Sequence, residues 1–173
     1  VPFLGINLGT LGFLAEVNKT DIEHALLRLI EGDYEIEKRM MLTGDVFQKD
    51  KDMPEDSTQA LNDIVITRKG SLQIIIFTIS VNGQFLHRYS ADGMIVATPT
   101  GSTGYNLSAG GPVVDPKAQL MVISPICPHS MQHSSIVLSP EDEVTISIDT
   151  GHDGTVQEVE ASFDGNHRVT LRT

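Results

Sequence analysis

Apolar and polar side chains alternate strictly through much of this chain, a period of two that predicts strands rather than helices. Ile75, Phe77, Ile79 and Val81 form one apolar face, with Thr78 and Ser80 opposite. Asn82-Gly83 follows, the dipeptide of a type I′ hairpin turn, and Phe85, His87 and Tyr89 continue on the return strand. Further on, Val144, Ile146 and Ile148 alternate with Thr145 and Ser147, and Val159, Ala161 and Phe163 resume the pattern after a turn at Gly151-His152-Asp153-Gly154. Asp164-Gly165 turns the chain again before Val169 and Leu171. Residues 60–67 read as one strand, and Tyr34, Ile36 and Lys38 followed by Met41, Thr43 and Asp45 as another. The opening residues 1–7 have the look of a buried parallel-type strand, and residues 8–14 of a Gly-punctuated turn.

Only one stretch keeps helical spacing. Ala25, Leu26, Leu29 and Ile30 fall on one helical face, Thr20 or Asp21 can cap its start, and Gly32 terminates it. Residues 49–57, KDKDMPEDS, read as a charged loop tip. Many short strands and one clear helix predict a mainly β fold, two packed antiparallel sheets in a sandwich-like arrangement with one or two short helices. No internal repeat is apparent.

Composition narrows the chemistry. The 173 residues are enough to bury one core. A formal net charge of −11 argues against a nucleic-acid surface, which needs basic stripes, though not against a phosphorylated small molecule. No segment approaches the ~18 apolar residues of a membrane span, so no membrane is expected. Cys127 cannot form an intrachain disulfide, no signal peptide is visible, and the cytoplasm is the default compartment. Set in the apolar run ISPICPHSM, Cys127 reads as a buried structural thiol. His24, His87, His129, His133, His152 and His167 are scattered without metal-ligand spacing, so no structural metal is predicted.

The candidate chemistry lies in residues 98–112, TPTGSTGYNLSAGGP, directly after the apolar run 94–97. Thr98, Thr100, Ser102, Thr103 and Tyr105 bring five hydroxyls to one loop, with Gly101 and Gly104 between them. Such a loop at a strand end can hold ribose, phosphate or amide groups, although an ordinary surface turn has the same composition. Ser102 and Ser108 lack the G-x-S-x-G elbow of a serine hydrolase. Asn62-Asp63 stands at the head of an apolar strand, where the pair either caps the strand or accepts hydrogen bonds from a ribose diol. Asp92-Gly93 reads as a turn before the next strand, and Gly151-His152-Asp153-Gly154 as a hairpin turn with no catalytic part for Asp153.

These segments together resemble the C-terminal part of the NAD kinases. The matching stretches are VPFLGINLGTLGFLAEV (1–17), GDYEIEKRMML (32–42), ALNDIVI (60–66), SADGMIVATPTGSTGYNLSAGGPVVDP (90–116), ISPICPHSM (123–131) and SFDGN (162–166). The DG…TPTGST-Y-LSAGGP block is the specific one. The resemblance implies transfer of the γ-phosphoryl of ATP to the 2′-hydroxyl of the NAD adenosine ribose, giving NADP, with Mg²⁺ accompanying ATP. It implies that Asn62 and Asp63 contact the nucleoside portions of NAD, with Asp63 standing where Glu is commoner. It implies that Thr103, Gly104, Tyr105, Asn106, Leu107 and Ser108 wrap the dinucleotide, Gly104 replacing the usual Ala. Asp92 matches an acid that reaches a dinucleotide bound largely by a neighbouring subunit, so a homodimer or homotetramer is implied. Asn166 lies where many members carry a Gln or another polar ligand contact. Residues 133–135, His-Ser-Ser, depart from the family's usual Arg-Pro-containing stretch.

The family's Gly-Gly-Asp-Gly motif, whose Asp is taken as the base for the ribose hydroxyl, does not occur in these residues. No catalytic residue is therefore assigned, and the expectation is an excerpt inactive alone. Residues 1–17 would be the last strand and turn of an N-terminal α/β domain, and residues 18–173 a β-rich NAD-binding domain ending in mid-strand, with a final strand missing. Two alternatives stand beside this reading: a related lipid kinase domain and a non-enzymatic dinucleotide-binding module.

Overall fold

The computed structural model describes residues 2–8, 15, 17–48, 51–70, 74–129, 134–150 and 154–173. The expected turn at 9–14, the start of the charged run at Lys49-Asp50, His133, and the turn residues His152 and Asp153 lie outside them. The chain divides into two compact units, Val1–Lys38 and Arg39–Thr173. The boundary expected after residue 17 falls inside the first of these.

In the first unit, β1 (Ile6–Asn7) pairs in parallel with β2 (Val17–Asn18). The parallel pairing agrees with the sequence reading, but the burial does not. Phe3 is 72% exposed, and a two-residue partner strand offers nothing to cover it. A short 3-10 turn (Lys19–Asp21) leads into α1 (Ile22–Glu31), which Gly32 ends, as the spacing predicts. No residue of α1 is buried.

In the second unit, every strand pair is antiparallel. Its strands are β3 (Leu42–Val46), β4 (Asp56–Ala60), β5 (Asp63–Arg68), β6 (Ile75–Val81), β7 (Gln84–Ala91), β8 (Gly93–Ala97), β9 (Met121–Ile126), β10 (Ile136–Leu138), β11 (Val144–Ile148), β12 (Glu158–Phe163) and β13 (His167–Arg172). They form a six-stranded sheet in the order β10-β9-β8-β5-β12-β13, a three-stranded sheet β11-β6-β7 and a ribbon β3-β4. Alternate residues of the large sheet face the smaller ones. Ile66, Met94, Val96, Ile123, Val159, Ala161 and Phe163 meet Ile75, Phe77 and Ile79 from the three-stranded sheet and Leu42, Val46 and Ala60 from the ribbon. Phe77 and Ile79 are fully buried, each worth about 2 kcal/mol in transfer from water. The mainly β, two-sheet expectation therefore describes this unit, and Asn82 (φ 51°) with Gly83 (φ 75°) makes the predicted hairpin turn.

Four local expectations are corrected. Residues 33–41 form no strand, so the alternation at Tyr34, Ile36 and Lys38 has no partner ladder behind it. The stretch 60–67 is two strands, broken at Leu61-Asn62, because backbone groups there are claimed by side chains from elsewhere in the chain. The charged run is not loop to its end, since Asp56 and Ser57 already pair with β3. Cys127 is exposed, because the chain leaves the sheet after Ile126 with φ 46° at Cys127, turning the thiol outward.

On its other face the large sheet carries a second, smaller apolar cluster of Val65, Ile95, Ala97 and Ile126, with Ala109 packed on it. Asp63 shares the parity of Val65 and so belongs to this face. Ala109 belongs to the segment after β8, so this is the face over which that segment folds.

Candidate functional site

The site grows from a corner. Between β4 and β5 the chain turns at Leu61-Asn62, and the backbone N–H groups of Leu61, Asn62 and Asp63 all donate to the carboxylate of Asp164, at 2.8, 2.7 and 3.2 Å. Asp164 sits in the β12–β13 turn, and its own N–H donates to the Asp63 carbonyl at 3.0 Å. From the other side, Thr98 closes the corner. Its N–H donates to the Asn62 carbonyl at 2.9 Å and its hydroxyl to the Leu61 carbonyl at 2.6 Å.

The loop that follows β8 is built inward. Thr98 also accepts the Gly101 N–H at 3.1 Å. Gly101 lies so close to the corner that a Cβ there would overlap the Asn62 backbone, which is why this position needs a glycine. Ser102 is fully buried; its hydroxyl donates to the Pro99 carbonyl at 2.7 Å and accepts the Val114 N–H at 3.0 Å. Thr100 receives a long contact from the Arg39 guanidinium at 3.5 Å, and Thr103 reaches the Thr100 carbonyl at 3.4 Å. Of the five hydroxyls expected to face a ligand, those of Thr98, Thr100 and Ser102 are buried, and Thr98 and Ser102 hold the loop's own shape. Tyr105, 45% exposed, projects from it.

Asn106 anchors the short helix α2 (Tyr105–Ser108). It is fully buried, and its amide donates to the carbonyls of Ser102 and Pro112 at 3.1 and 3.0 Å. Its amide oxygen accepts from Ser124 of β9 at 2.7 Å, and Ser124 pairs in turn with Ser135 at 2.7 Å. Asn106 thereby fastens the loop to the sheet, while Gly104, Tyr105, Leu107 and Ser108 are exposed around it. The sequence reading gives Ser124 and Ser135 no part in the site, although 123–131 is among the matching stretches and 133–135 is noted as a departure, since no local signal pairs a serine with an amide 18 residues away.

Asp63 is buried at this corner, and burial, assisted by the negative charge of Asp164, raises its carboxyl to about 6. Gly104 faces it, since a Cβ there would lie 3.8 Å from Asp63 Oδ2. Asn62, Asp63, Thr103 and Gly104 are thus brought together, with Tyr105, Leu107 and Ser108 continuing the exposed rim. Asn166 is exposed two residues beyond Asp164 in the adjoining turn. Asp92 stands apart. It precedes β8 whereas the loop follows it, a separation of roughly 20 Å along the strand. There Asp92 pairs with Arg68 at 3.3 Å and lies 4.0 Å from His129 Nε2. Asp164 escapes the sequence reading as a site residue because Asp-Gly is an ordinary turn signal.

Among the described residues, no group of three or more His, Cys, Asp or Glu is placed to hold a metal ion, and no helix is long and apolar enough to cross a membrane.

Comparison with known proteins follows the same segments. Residues 61–173 match the family described as ATP-NAD kinase C-terminal domain. The chain is 44% identical over 172 residues to an NAD kinase of Lachnoclostridium phytofermentans, covering 99% of this chain and 60% of the relative. It is 49% identical over 148 residues to an NAD kinase of Lachnospira eligens, covering 86% and 50%. Among solved structures, yeast NADH kinase complexed with NADH superposes with a TM-score of 0.85 at 31% identity, covering 98% of this chain and 50% of that one. An NAD kinase from Archaeoglobus fulgidus in complex with ATP gives 0.80 at 28% identity, covering 99% and 65%. The chain therefore spans about half to two thirds of the length of these proteins.

Proposed function

The chain belongs to the NAD kinase family, and on that premise we propose that its full-length protein phosphorylates the 2′-hydroxyl of the NAD adenosine ribose with ATP, in the cytoplasm, giving NADP. The observation that carries this reading is the juncture of the Asn62-Asp63 corner with the loop at 98–108, inside the family match. A polar corner beside an exposed rim is what a dinucleotide needs: acceptors for its hydroxyls and a surface for its rings. Asn62, Asp63, Thr103, Gly104, Tyr105, Leu107, Ser108 and Asn166 hold NAD in this proposal, and Asn106 acts as the loop's anchor.

Phosphoryl transfer depends on positioning and on neutralising the phosphate charge. Residues 1–173 supply the positioning of NAD. In this reading Mg²⁺ enters with ATP as part of that substrate and neutralises its phosphate charge. The Gly-Gly-Asp-Gly motif is absent from these residues, so they bind dinucleotide without turning it over. Asp92, distant from the corner of its own chain, serves the site of a neighbouring copy in a homodimer or homotetramer. The family match leaves the lipid-kinase alternative without support.

The test is NADP formation from NAD and ATP-Mg²⁺ by the full-length protein and by residues 1–173. Turnover by the first alone is expected. A full-length protein that makes no NADP would sink the assignment, and robust turnover by residues 1–173 would sink the division of labour.

A further inference from the structure

Three consecutive backbone N–H groups, those of Leu61, Asn62 and Asp63, converge on a single side chain more than 100 positions along the chain. A carboxylate accepts up to about four hydrogen bonds through its two oxygens, so Asp164 serves all three without crowding. Its Oδ1 takes Asn62 at 2.7 Å and Asp63 at 3.2 Å, while Oδ2 takes Leu61 at 2.8 Å. The return bond from the Asp164 N–H to the Asp63 carbonyl locks the two turns to each other. β4 ends at Ala60 and β5 begins at Asp63, so of Leu61, Asn62 and Asp63 only Asp63, opposite Ala97, belongs to a strand ladder. Among the described residues, Thr98 and the pairing of Asp63 with Ala97 hold one side of this corner, and Asp164 holds the other.

We propose that Asp164 is a positioning residue for dinucleotide binding, its carboxylate holding the 61–63 backbone so that the Asn62 and Asp63 side chains meet the substrate. The proposal rests on the NAD-binding reading above. Asp164 itself touches no substrate in it; it acts through the corner.

Asp164→Asn separates this role from the turn's. Asp164 and Gly165 both have positive φ, 48° and 71°, and Asn-Gly is the preferred dipeptide for that conformation, so the hairpin survives. What is lost is the anionic acceptor. In the full-length protein, KM for NAD should rise roughly tenfold, the scale of a hydrogen bond to a charged group, with KM for ATP and the far-ultraviolet circular dichroism unchanged. The amide protons of residues 61–63 should exchange faster with solvent in the variant, a readout that does not depend on any activity.

Unchanged exchange at 61–63, or an unchanged KM for NAD beside a working enzyme, overturns the proposal. A parallel loss of ATP and NAD use, or failure of both Asp164→Asn and Asp164→Glu to fold, assigns Asp164 to folding alone and overturns it equally. If the wild-type protein makes no NADP, the functional reading has failed, and the exchange measurement still decides whether Asp164 holds the corner.

Discussion

The Thr98 hydroxyl donates to the Leu61 carbonyl at 2.6 Å, and through that bond the loop after β8 and the corner before β5 become one piece. Strand pairing alone would bring them near, since Asp63 is opposite Ala97 in the β5–β8 ladder. Side-chain bonds then fix how the two segments meet. The proposed dinucleotide site stands on that joint.

Asn62 and Tyr105 present the test of the site itself. Asn62→Ala and Tyr105→Ala should each weaken NAD binding by roughly five- to tenfold in titration calorimetry, the scale of one lost hydrogen bond or stacking contact. Thermal melting should be nearly unchanged for Tyr105→Ala, which is 45% exposed. Unaltered affinity in both variants would mean that NAD binds elsewhere.

Gly101→Ala should damage the joint without touching any ligand group. The new methyl would overlap the Asn62 backbone, which cannot give way as a flexible side chain could. A destabilisation of about 3 kcal/mol is expected, read by chemical denaturation. A cost under ~1 kcal/mol would show that loop and corner are not packed as described.

Asn106→Ala should lower stability by about 2–3 kcal/mol, because it removes the amide bonds to the carbonyls of Ser102 and Pro112 and leaves the buried Ser124 hydroxyl only its contact with Ser135. NAD affinity should fall with it, through a loosened loop. An Asn106 variant with native stability and weakened binding would instead make this side chain a direct ligand contact.

Asp63 sets a pH dependence whose sign follows from its environment. The folded carboxyl, at about 6, holds its proton where the unfolded one, at 3.8, has lost it. Stability is therefore lost as pH rises from about 4 through about 6, by up to ~3 kcal/mol, and Asp63→Asn should be more stable than wild type at neutral pH but not near pH 4. Because the carboxylate is the form that accepts ribose hydroxyls, NAD affinity should rise through the same window in wild type and stay flat in Asp63→Asn. Denaturation and calorimetry at several pH values check both.

Asp92 and Asn62 test the sharing of sites between copies. Full-length Asn62→Ala and Asp92→Ala variants should each be impaired in NADP formation. Mixed under conditions that allow subunit exchange, they should regain activity, since a mixed pair contains one site with both native residues. Mixtures no better than their components would confine the site to one chain.

The alternation of Phe77 and Ile79, the Asn82-Gly83 turn and the Gly32 helix stop are local facts, and the sequence alone determined them because period and turn chemistry act between near neighbours. The loop at 98–112 was legible as a candidate site for the same reason: its glycines and hydroxyls announce themselves in order. What those hydroxyls face was not legible. Thr98 and Ser102 turn inward, Asn106 reaches a serine on β9, and Cys127 is turned out of the sheet by one positive φ. The break in the 60–67 stretch was equally hidden, because its cause is the carboxylate of Asp164, about a hundred residues away. An acceptor that distant leaves no periodic trace in the residues it holds, so only the tertiary structure could decide where Asn62 and Asp63 point.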